Sequence, residues 1–359
     1  MTRIAFSWNG LPQYAARLIR GAVDRLGEDC DVIGSRPSVP IEGMEGVLNC
    51  PIFWVDFARP VTWSQLGLEV PEIFVQSGWG YPAYNSLGAE VRKLGGRVIG
   101  LSDNNWRGDF RQRVVGAIAF RLLHRRRFDA MIVPGQQGQK LMRWFGMPKD
   151  RVRSGMYGAD PALFNGGSSL PLRPKTFLFV GQFIARKDVL GLAHAFIRFA
   201  SSRPGWTLRL CGSGEQRDLI PAHESILVED FVQPEQLAER FRQARFLVLP
   251  SLSEAWGLVV HEGASCGCGL VLSNRIGSAD DLATAVNGVL FEAGNADDLL
   301  RALHEAADFA DARLVAAEAE SRRLASPFGP DRFGREVEGL IRDFSQDARG
   351  QARPMPEVE

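Results

Sequence analysis

The sequence predicts an α/β protein with two domains, each built around a doubly wound parallel sheet. Short apolar runs rich in branched residues alternate with helix-length amphipathic stretches along the whole chain, as in consecutive βα units. The chain has 359 residues, of which 45% are hydrophobic and 23% are charged, and this composition excludes a disordered or fibrous protein. Because a domain holds roughly 100–200 residues, the length predicts two domains, each with its own core.

In the first half of the chain, apolar runs predict strands and amphipathic stretches predict helices in alternation. The predicted strands are Arg3–Trp8, Asp31–Gly34, Gly46–Leu48, Glu72–Gln76, Arg97–Leu101 and Ala130–Pro134. The predicted helices are Pro12–Leu26, Ser86–Leu94, Phe110–Arg125 and Gln136–Phe145. Residues 35–71 follow neither pattern clearly.

The second half repeats this architecture without repeating its sequence. Its predicted strands are Thr176–Val180, Thr207–Cys211, Ile226–Glu229, Phe246–Leu249, Gly269–Leu272 and Gly288–Phe291. A passage rich in glycine and proline places the hinge between the halves at residues 158–172. We therefore expect a first domain over residues 1–160 and a second over 161–326. A helix over 327–345, with packing back on the first domain as one option, and a flexible tail over 346–359 complete the chain.

Charge and cysteine content limit the classes of function that the protein can have. Forty-two Lys and Arg balance forty-two Asp and Glu, so no net charge attracts nucleic acid. Five cysteines without a Cys-x-x-Cys pair and five histidines without metal-ligand spacing predict a reducing compartment and no metal site. Neither a signal peptide nor an apolar run of membrane-spanning length is expected. The predicted location is the cytoplasm.

The most informative segment follows the predicted strand Phe246–Leu249. After Pro250 comes a loop with Glu254, and a helix beginning near Gly257 carries Glu262 in its second turn. Ligands of doubly wound sheets bind beyond the carboxyl ends of the strands, where a glycine at a helix start lets a phosphate approach free amides. Two carboxylates beside such a start suit the vicinal hydroxyls of a nucleotide joined to a sugar. The alternative is that both are solvated helix-end charges.

With its neighbours, this segment resembles the C-terminal domain of retaining GT-B glycosyltransferases of the family-four type, the glycosyl transferases group 1. The likeness covers residues 176–304, and Tyr157–Asp160 with Phe164 is similar to the family's segment at the end of the first domain. The chain departs from the common pattern at Gln182, where many members have Arg, and at Gly269, where many have Pro. The residues that carry the resemblance are Pro250, Ser251, Glu254, Gly257, Glu262, Phe179–Gly181, Arg186, Lys187, Leu210–Gly214, Asn287–Phe291 and Asp297–Leu299.

The resemblance implies a fold and a set of donor contacts. The fold is GT-B, with two Rossmann-like domains facing a cleft, and the donor is a nucleoside-diphosphate sugar. Glu262 would hold the ribose hydroxyls and Glu254 the sugar hydroxyls, while Arg186 and Lys187 would hold the diphosphate. The alternative for Arg186 and Lys187 is that they are solvated charges at a helix start. Cations at that position interact unfavourably with the helix dipole, which favours the ligand-binding role. The implied contacts to the nucleotide sugar also include Gly10, Gly181, Gly212, Gly257 and Leu258.

The first half resembles the family less closely. The turn Trp8–Gly10 matches in position the glycine loop that approaches the donor diphosphate, with an ordinary βα turn as the alternative. Asp103 follows the predicted strand Arg97–Leu101 where many members have a His or an Asp that contacts the donor sugar. The alternative for Asp103 is a helix N-cap. Trp79 and Trp106 are candidates for stacking on an acceptor, although most tryptophans simply pack in a core.

Two further segments of the first half allow two interpretations each. The stretch from Phe110 to Arg127 is basic and amphipathic, which suits docking on anionic lipid; alternatively, its cations complement a helix C-terminus. The triplet Asp29, Cys30 and Asp31 fits the Asp-x-Asp pattern of metal-dependent transferases. Because it precedes a strand, it lies at the wrong end of the sheet, and we interpret it as a loop.

The sequence thus predicts a cytoplasmic enzyme that moves a sugar from a nucleoside diphosphate to a hydroxyl of a saccharide or lipid-linked acceptor. The resemblance implies retention of the anomeric configuration, no divalent metal ion, and a role in bacterial cell-surface polysaccharide or glycolipid synthesis, with peripheral contact to the inner membrane. Two alternatives stay open. One is a hydrolysing nucleotide-sugar epimerase, and the other is a non-catalytic nucleotide-sugar-binding partner of another transferase.

Overall fold

The computed structural model describes residues 3–27, 30–36 and 44–351. The chain divides into two compact units. The first unit contains residues 1–134, 138–158 and 328–359, and the second contains residues 135–137 and 159–327. Each unit is organised around one parallel sheet, which confirms the α/β class and the two doubly wound sheets predicted from the sequence.

The first sheet has seven strands. They are β1 (Ile4–Trp8), β2 (Cys30–Gly34), β3 (Ile52–Trp54), β4 (Ile73–Ser77), β5 (Arg97–Leu101), β6 (Ala130–Val133) and β7 (Val152–Ser154). Their order is β3-β2-β1-β4-β5-β6-β7, and every pairing is parallel. All five residues of β1 are buried, as expected for a parallel strand with both sheet faces covered.

The helices along this part of the chain are α1 (Gln13–Leu26), α2 (Met44–Leu48), α3 (Pro82–Lys93), α4 (Ala117–Ala119) and α5 (Gln136–Trp144). Irregular turns flank α4, because Arg111–Gly116 and Phe120–His124 are π-helical and Arg125–Arg127 forms a 3₁₀ turn. The helix predicted over Phe110–Arg125 therefore exists, with a wider winding than a regular α-helix.

The second sheet has six strands. They are β8 (Thr176–Val180), β9 (Thr207–Cys211), β10 (Ile226–Glu229), β11 (Phe246–Leu249), β12 (Gly269–Ser273) and β13 (Gly288–Phe291). Their order is β10-β9-β8-β11-β12-β13, again with parallel pairing throughout. This is the strand order of a Rossmann fold. The accompanying helices are α6 (Val189–Ser202), α7 (Pro234–Gln243), α8 (Leu258–Ser265), α9 (Ala279–Leu282), α10 (Ala296–Ala307) and α11 (Asp311–Ala325).

The last helix, α12 (Pro330–Gln351), is part of the first unit. Phe333, Val337 and Leu340 are fully buried in the same hydrophobic cluster as the apolar face of α1. The two helices approach closely at Gly21, where a Cβ would lie 2.8 Å from Pro330 Cβ. Arg25 Nε also donates to Glu338 Oε2 at 2.6 Å. The first core is therefore completed by the end of the chain.

Some local predictions for the first half differ from the structure. Gly46–Leu48 belongs to helix α2 and is not a strand, and strands β3 and β7 were not predicted.

The C-terminal segment also differs from the prediction. A frayed tail was expected from residue 346, whereas α12 continues to Gln351, and residues 352–359 lie outside the described part. Along the described stretches, no helix combines the length and apolarity needed to cross a bilayer.

Candidate functional site

The second sheet reverses its winding direction between β8 and β11. These two strands are neighbours, but the chain leads from β8 outward to β9 and β10, and from β11 outward to β12 and β13. The loops that follow β8 and β11 therefore meet at the carboxyl edge of the sheet, which is where doubly wound folds bind their ligands. The first of these loops carries Arg186 and Lys187, and the second carries Glu254.

Both cations contact the same oxygen of Glu254. Lys187 Nζ forms an ion pair with Oε2, and Arg186 Nη1 lies 3.4 Å from this oxygen. Arg186 Nη1 also donates to the Ser253 carbonyl at 2.8 Å. The side chains of Lys187 and Glu254 are only 11% and 15% exposed, so the charges compensate each other in a partly desolvated place. A diphosphate offers such cations the same kind of acceptor oxygen as the carboxylate does.

The loop with Glu254 is held by backbone hydrogen bonds on two sides. Leu252 N–H donates to the Arg186 carbonyl at 2.9 Å, which ties the loop to the one after β8. On the other side, Glu254 N–H donates to the Arg275 carbonyl at 3.0 Å, and Gly277 N–H donates to the Glu254 carbonyl at 3.0 Å. The carboxylate is therefore positioned by a backbone that is anchored to the loops after β8 and β12.

Helix α8 begins directly after this loop, with Gly257 as its N-cap. Gly257 has a φ of +84° and no side chain caps the helix. A Cβ at this position would lie 3.2 Å from Glu254 Cγ, so both the backbone conformation and the neighbouring carboxylate favour glycine. The half-buried Leu258 is the first residue of the helix. Its place fits the predicted approach of a phosphate to the helix start.

Glu262 lies on the second turn of α8 and is 9% exposed. Burial raises the pKa of its carboxyl group from 4.5 to about 8. A buried carboxyl group whose charged form is disfavoured in this way is common in binding sites and is costly elsewhere. This burial does not fit the alternative of a solvated helix-end charge for Glu262.

His261, next to Glu262, joins α8 to both ends of the second unit. Its Nδ1 accepts a hydrogen bond from Ala159 N–H at 2.8 Å, and its Nε2 lies 3.0 Å from the Ala325 carbonyl oxygen. The ring is therefore neutral, with its proton on Nε2. Burial lowers the pKa of His261 from 6.5 to about 4. The sequence did not single out this residue, although its position beside Glu262 could have drawn attention to it.

The glycines after β8 and β9 have a packing role. A Cβ at Gly212 would lie 1.9 Å from the Gly181 carbonyl oxygen, and one at Gly214 would lie 2.5 Å from the Phe183 carbonyl oxygen. Phe183 N–H donates to the Ser213 carbonyl at 2.8 Å. The two loops thus run against each other without space for side chains. Gln182, where the chain departs from the family pattern, is exposed in the first of them.

A cavity of about 380 Å³ lies at the carboxyl edge of the first sheet, at the point where that sheet reverses its winding. Here β1 and β4 are the neighbours at which the winding reverses. The loop after β1 is fixed by serines, since Gly10 N–H donates to Ser35 Oγ at 2.7 Å and Asn9 N–H donates to Ser77 Oγ at 3.3 Å. The lining of the cavity includes Trp8, Asn9, Tyr14, Trp79, Asp103 and Tyr157.

Asp103 is an exposed residue of this cavity and does not cap a helix. The next helical residue is Phe110, and the neighbouring Asp109 accepts a hydrogen bond from Gln112 N–H at 2.7 Å. The N-cap alternative for Asp103 is therefore wrong. Instead, the Tyr157 hydroxyl donates to Asp103 Oδ2 at 3.5 Å.

Two tyrosines of the cavity were not singled out from the sequence. The rings of Tyr14 and Tyr157 lie 5.4 Å apart, centroid to centroid. Burial raises the pKa of Tyr14 to about 12 and raises that of Tyr157 well above its ordinary value. Both hydroxyls are therefore neutral. The only signal in the sequence was the place of Tyr157 in the hinge motif.

Of the two tryptophans proposed to stack on an acceptor, one lines the cavity. Trp79 does so, and its ring also packs against Phe120 and Phe128. Trp106 does not belong to the lining; it packs against Trp144, with Lys140 Nζ 4.9 Å from its ring centroid.

The Asp-x-Asp triplet gives no support for a metal site. Asp29 lies outside the described residues, and Cys30 and Asp31 begin β2, at its amino end, instead of forming a loop. Asp31 Oδ2 accepts from Arg3 Nη2 at 3.3 Å. Within the described parts of the chain, no group of three or more His, Cys, Asp and Glu side chains is arranged to hold a metal ion.

Two Rossmann-like domains in one chain define the GT-B architecture, and solved structures share this fold. HepE from Anabaena in complex with UDP is 14% identical, has a TM-score of 0.74, and is matched over 96% of this chain and 100% of its own. A putative UDP-N-acetylglucosamine 2-epimerase from Listeria monocytogenes is 12% identical, has a TM-score of 0.65, and is matched over 96% of this chain and 97% of its own.

The sequence comparisons agree with the resemblance seen in the sequence. Residues 165–319 match the family described as Glycosyl transferases group 1. A D-inositol 3-phosphate glycosyltransferase from Acidothermus cellulolyticus is 28% identical over 269 residues, which are 65% of this chain and 54% of the relative. The chain thus spans about half the length of the curated relatives it matches.

Proposed function

We propose that this protein is a glycosyltransferase that moves a sugar from a nucleoside diphosphate to a hydroxyl group of a saccharide or lipid-linked acceptor. The observation that carries the proposal is the meeting of Arg186, Lys187 and Glu254 at the point where the second sheet reverses its winding. The buried Glu262 on the adjoining helix adds the group that a ribose requires. The match of residues 165–319 to the family described as Glycosyl transferases group 1 supports the same function.

In the proposed reaction, the bond between the anomeric carbon of the sugar and the diphosphate oxygen breaks, and a bond from that carbon to the acceptor oxygen forms. The acceptor proton passes to the leaving phosphate, and the anomeric configuration is retained. Arg186 and Lys187 stabilise the charge of the diphosphate without a divalent ion, because they are fixed at the place where that charge develops. A diphosphate that binds these cations competes with Glu254 for them and frees its carboxylate for sugar hydroxyls.

A hydrolysing nucleotide-sugar epimerase is the second candidate function. The likeness to the Listeria protein concerns the fold alone, and the same fold can carry either reaction. A third candidate is a non-catalytic partner of another transferase. The exposed Gln182, at a position where many family members have Arg, favours this candidate because it leaves fewer cations for the diphosphate.

The proposed location is the cytoplasm, with peripheral contact at the inner membrane and a role in cell-surface polysaccharide or glycolipid synthesis. The segment around α4 supports such contact, because its outer side is apolar and basic. Some of its arginines do bond to backbone carbonyls, as the alternative interpretation of this segment requires. Arg121 donates to the Trp144 carbonyl and Arg125 donates to the Gly146 carbonyl. Those contacts do not account for the exposed apolar residues, which are Phe110, Val114, Val115, Ile118, Leu122 and Leu123.

A donor panel tests the proposed function. The full chain is incubated with nucleoside-diphosphate sugars of different bases and sugars, with and without EDTA, and the products are followed by NMR. Slow release of the sugar with its original anomeric configuration supports the transferase, a sugar inverted at carbon 2 supports the epimerase, and binding without turnover supports the partner. Loss of activity in EDTA would contradict the metal-free mechanism. Glu262→Ala should weaken nucleoside-diphosphate binding at least about tenfold, whereas the exposed Glu235→Ala serves as the matched control.

A further inference from the structure

The cavity of the first domain differs from the donor site of the second in its charge. None of the described residues that line it is Lys, Arg or His, and Asp103 is the one charged side chain among them. We propose that this cavity binds a neutral, hydroxyl-bearing sugar ring of the acceptor and rejects a phosphate-bearing one. The inference rests on the proposed transferase function, since it names the class of acceptor that the first domain takes.

The size and walls of the cavity suit one small polar ring. Its volume of about 380 Å³ lies in the lower part of the range for small-molecule sites. Five aromatic residues in the described part of the chain contribute to the lining, namely Trp8, Tyr14, Trp79, Tyr81 and Tyr157. Aromatic rings pack well against the C–H faces of a sugar while polar groups bind its hydroxyls.

The polar groups of the cavity match hydroxyls. Asp103 offers about four acceptor positions, and Tyr157 uses one of them at 3.5 Å. The side-chain amides of Asn9 and Asn104, which are also in the lining, supply both donors and acceptors. Each hydroxyl of a sugar is itself both a donor and an acceptor, so a ring with several hydroxyls can satisfy these groups together.

The same groups disfavour an anion. The two tyrosine hydroxyls are uncharged at neutral pH, as an ordinary tyrosine is, and burial raises their pKa values further. Neither side chain carries a positive charge that could offset the carboxylate. Binding sites for phosphate groups use Arg, Lys or clustered backbone amides, and here the amides of Asn9 and Gly10 are already bonded to serine hydroxyls. A phosphate placed near Asp103 would meet repulsion without compensation.

Asp103 then contacts the acceptor instead of the donor. The family resemblance implies that a residue at this place contacts the donor sugar, whereas the surroundings of Asp103 belong to the first domain's own cavity. Asp103 then determines specificity: it accepts hydrogen bonds from the acceptor ring and excludes an anionic substituent. Tyr157 is a positioning residue, since it acts through its hydrogen bond to the carboxylate.

Ligand-detected NMR on the full chain tests the inference with matched probes. The probes are glucose with glucose 6-phosphate, and myo-inositol with its 1-phosphate. In the unchanged protein, each neutral probe should bind about tenfold more tightly than its phosphorylated counterpart. Asp103→Lys should reverse this preference, a gain of affinity that a misfolded variant cannot produce. Asp103→Asn should reduce the preference, and the exposed Asp56→Asn is the control that leaves it unchanged.

Octyl glucoside below its micelle concentration separates the two sources of a sugar ring. Tighter binding of this probe than of glucose indicates a lipid-linked ring, and equal binding indicates a free saccharide; both results support the neutral class. Equal or tighter binding of the phosphorylated probes by the unchanged protein would overturn the inference, as would the absence of binding by every neutral probe.

The outcome is separable from that of the proposed function. Uridine, guanosine and adenosine diphosphates are titrated in parallel, and Glu262→Ala should weaken nucleotide binding while leaving the sugar probes unaffected. Failure of all nucleotides to bind would contradict the transferase and leave the charge selectivity of the cavity standing. Nucleotide binding together with a preference for phosphorylated sugars would contradict the acceptor class alone.

Discussion

The imidazole of His261 accepts a hydrogen bond from the backbone N–H of Ala159 across 2.8 Å. Ala159 is the residue at which the chain enters the second unit for its long continuous stretch. On its other side, the ring contacts the Ala325 carbonyl oxygen at 3.0 Å, two residues before that stretch ends. One side chain thus fixes both ends of the unit to the helix that carries Glu262.

The neutral ring of His261 makes the protein sensitive to acid. Its pKa in the folded protein is about 4, below the ordinary 6.5, so the unfolded chain binds the proton first as the pH falls. The stabilisation is complete above pH 6.5 and is lost as the pH falls towards 4, by roughly 3 kcal/mol. Urea unfolding at several pH values should show that His261→Gln has a smaller loss of stability over this range. The exposed His194→Gln is the control, and equal slopes for all three proteins would contradict the assignment.

Glu262 has the opposite dependence on pH. The pKa of its carboxyl group is raised from 4.5 to about 8, so the folded protein keeps a proton that the unfolded chain releases between these values. Its contribution is complete below pH 4.5 and is lost as the pH rises through 8. Glu262→Gln should therefore gain stability relative to the unchanged protein between pH 4.5 and 9, by more than about 2 kcal/mol. A relative gain no larger than that of Glu235→Gln would refute a buried, protonated Glu262.

Lys187 should matter more for turnover than for folding. Its ammonium group lies in a partly buried ion pair with Glu254, at the place where the diphosphate charge is proposed to develop. Lys187→Met keeps the aliphatic chain and removes the charge, so the rate of sugar transfer should fall by about a hundredfold or more. Steady-state kinetics measure this, and thermal unfolding shows whether the fold is kept. Lys175→Met, at an exposed position of the same domain, should retain the original rate.

Gly212 is predicted to tolerate no side chain. It has a positive φ, as Gly205 does, but a Cβ at Gly212 would lie 1.9 Å from the Gly181 carbonyl oxygen, whereas the space around Gly205 is open. Gly205→Ala should cost about 1–2 kcal/mol for the backbone conformation alone. Gly212→Ala should cost roughly 3 kcal/mol or more, since two loop backbones must also separate. Denaturant unfolding of the pair checks this, and equal losses would show that the loops can move apart freely.

The exposed apolar side of the segment around α4 is expected to bind anionic vesicles. Leu122 is 77% exposed and Leu123 62% exposed, so exchanging both for Glu removes apolar contact and adds repulsion without disturbing a core. Binding to vesicles of phosphatidylglycerol, measured by sedimentation, should fall about tenfold or more. The exposed Leu219→Glu is the control for an added charge elsewhere. Weak binding of the unchanged protein to these vesicles would contradict the proposed peripheral contact with the membrane.

The strands of the second sheet were predicted closely because they are continuous apolar runs bounded by polar turns. The prediction for Thr176–Val180 coincides with β8, and the loop residues Arg186, Lys187 and Glu254 could be placed from it. In the first domain, Gly46–Leu48 was predicted as a strand and lies in α2, since a three-residue apolar run has no period that separates the two structures. Strand β7 contains only three residues with an arginine in the middle, so it lacks the apolar run from which a strand is predicted.

The features that the sequence did not indicate depend on contacts between distant parts of the chain. Tyr14 lies on α1, where a tyrosine fits the amphipathic pattern of an ordinary surface helix, and Tyr157 lies more than a hundred positions later. Their pairing at the cavity becomes visible only when the strands are ordered in space. The same holds for His261, whose partners Ala159 and Ala325 lie on either side of it in the chain and offer only backbone groups. Because nearly every residue type offers the same backbone N–H and C=O groups, the sequence does not indicate which residues will bond to His261.

The position of α12 has a consequence for how the nascent chain acquires its structure. Phe333, Val337 and Leu340 fill the core against α1, yet the ribosome adds them only after the whole of the second sheet. During translation, the later-encoded domain therefore has all of its strands before the earlier one is complete. Until Pro330–Gln351 emerges, the part of α1 that contacts α12 remains uncovered and is a natural target for a chaperone.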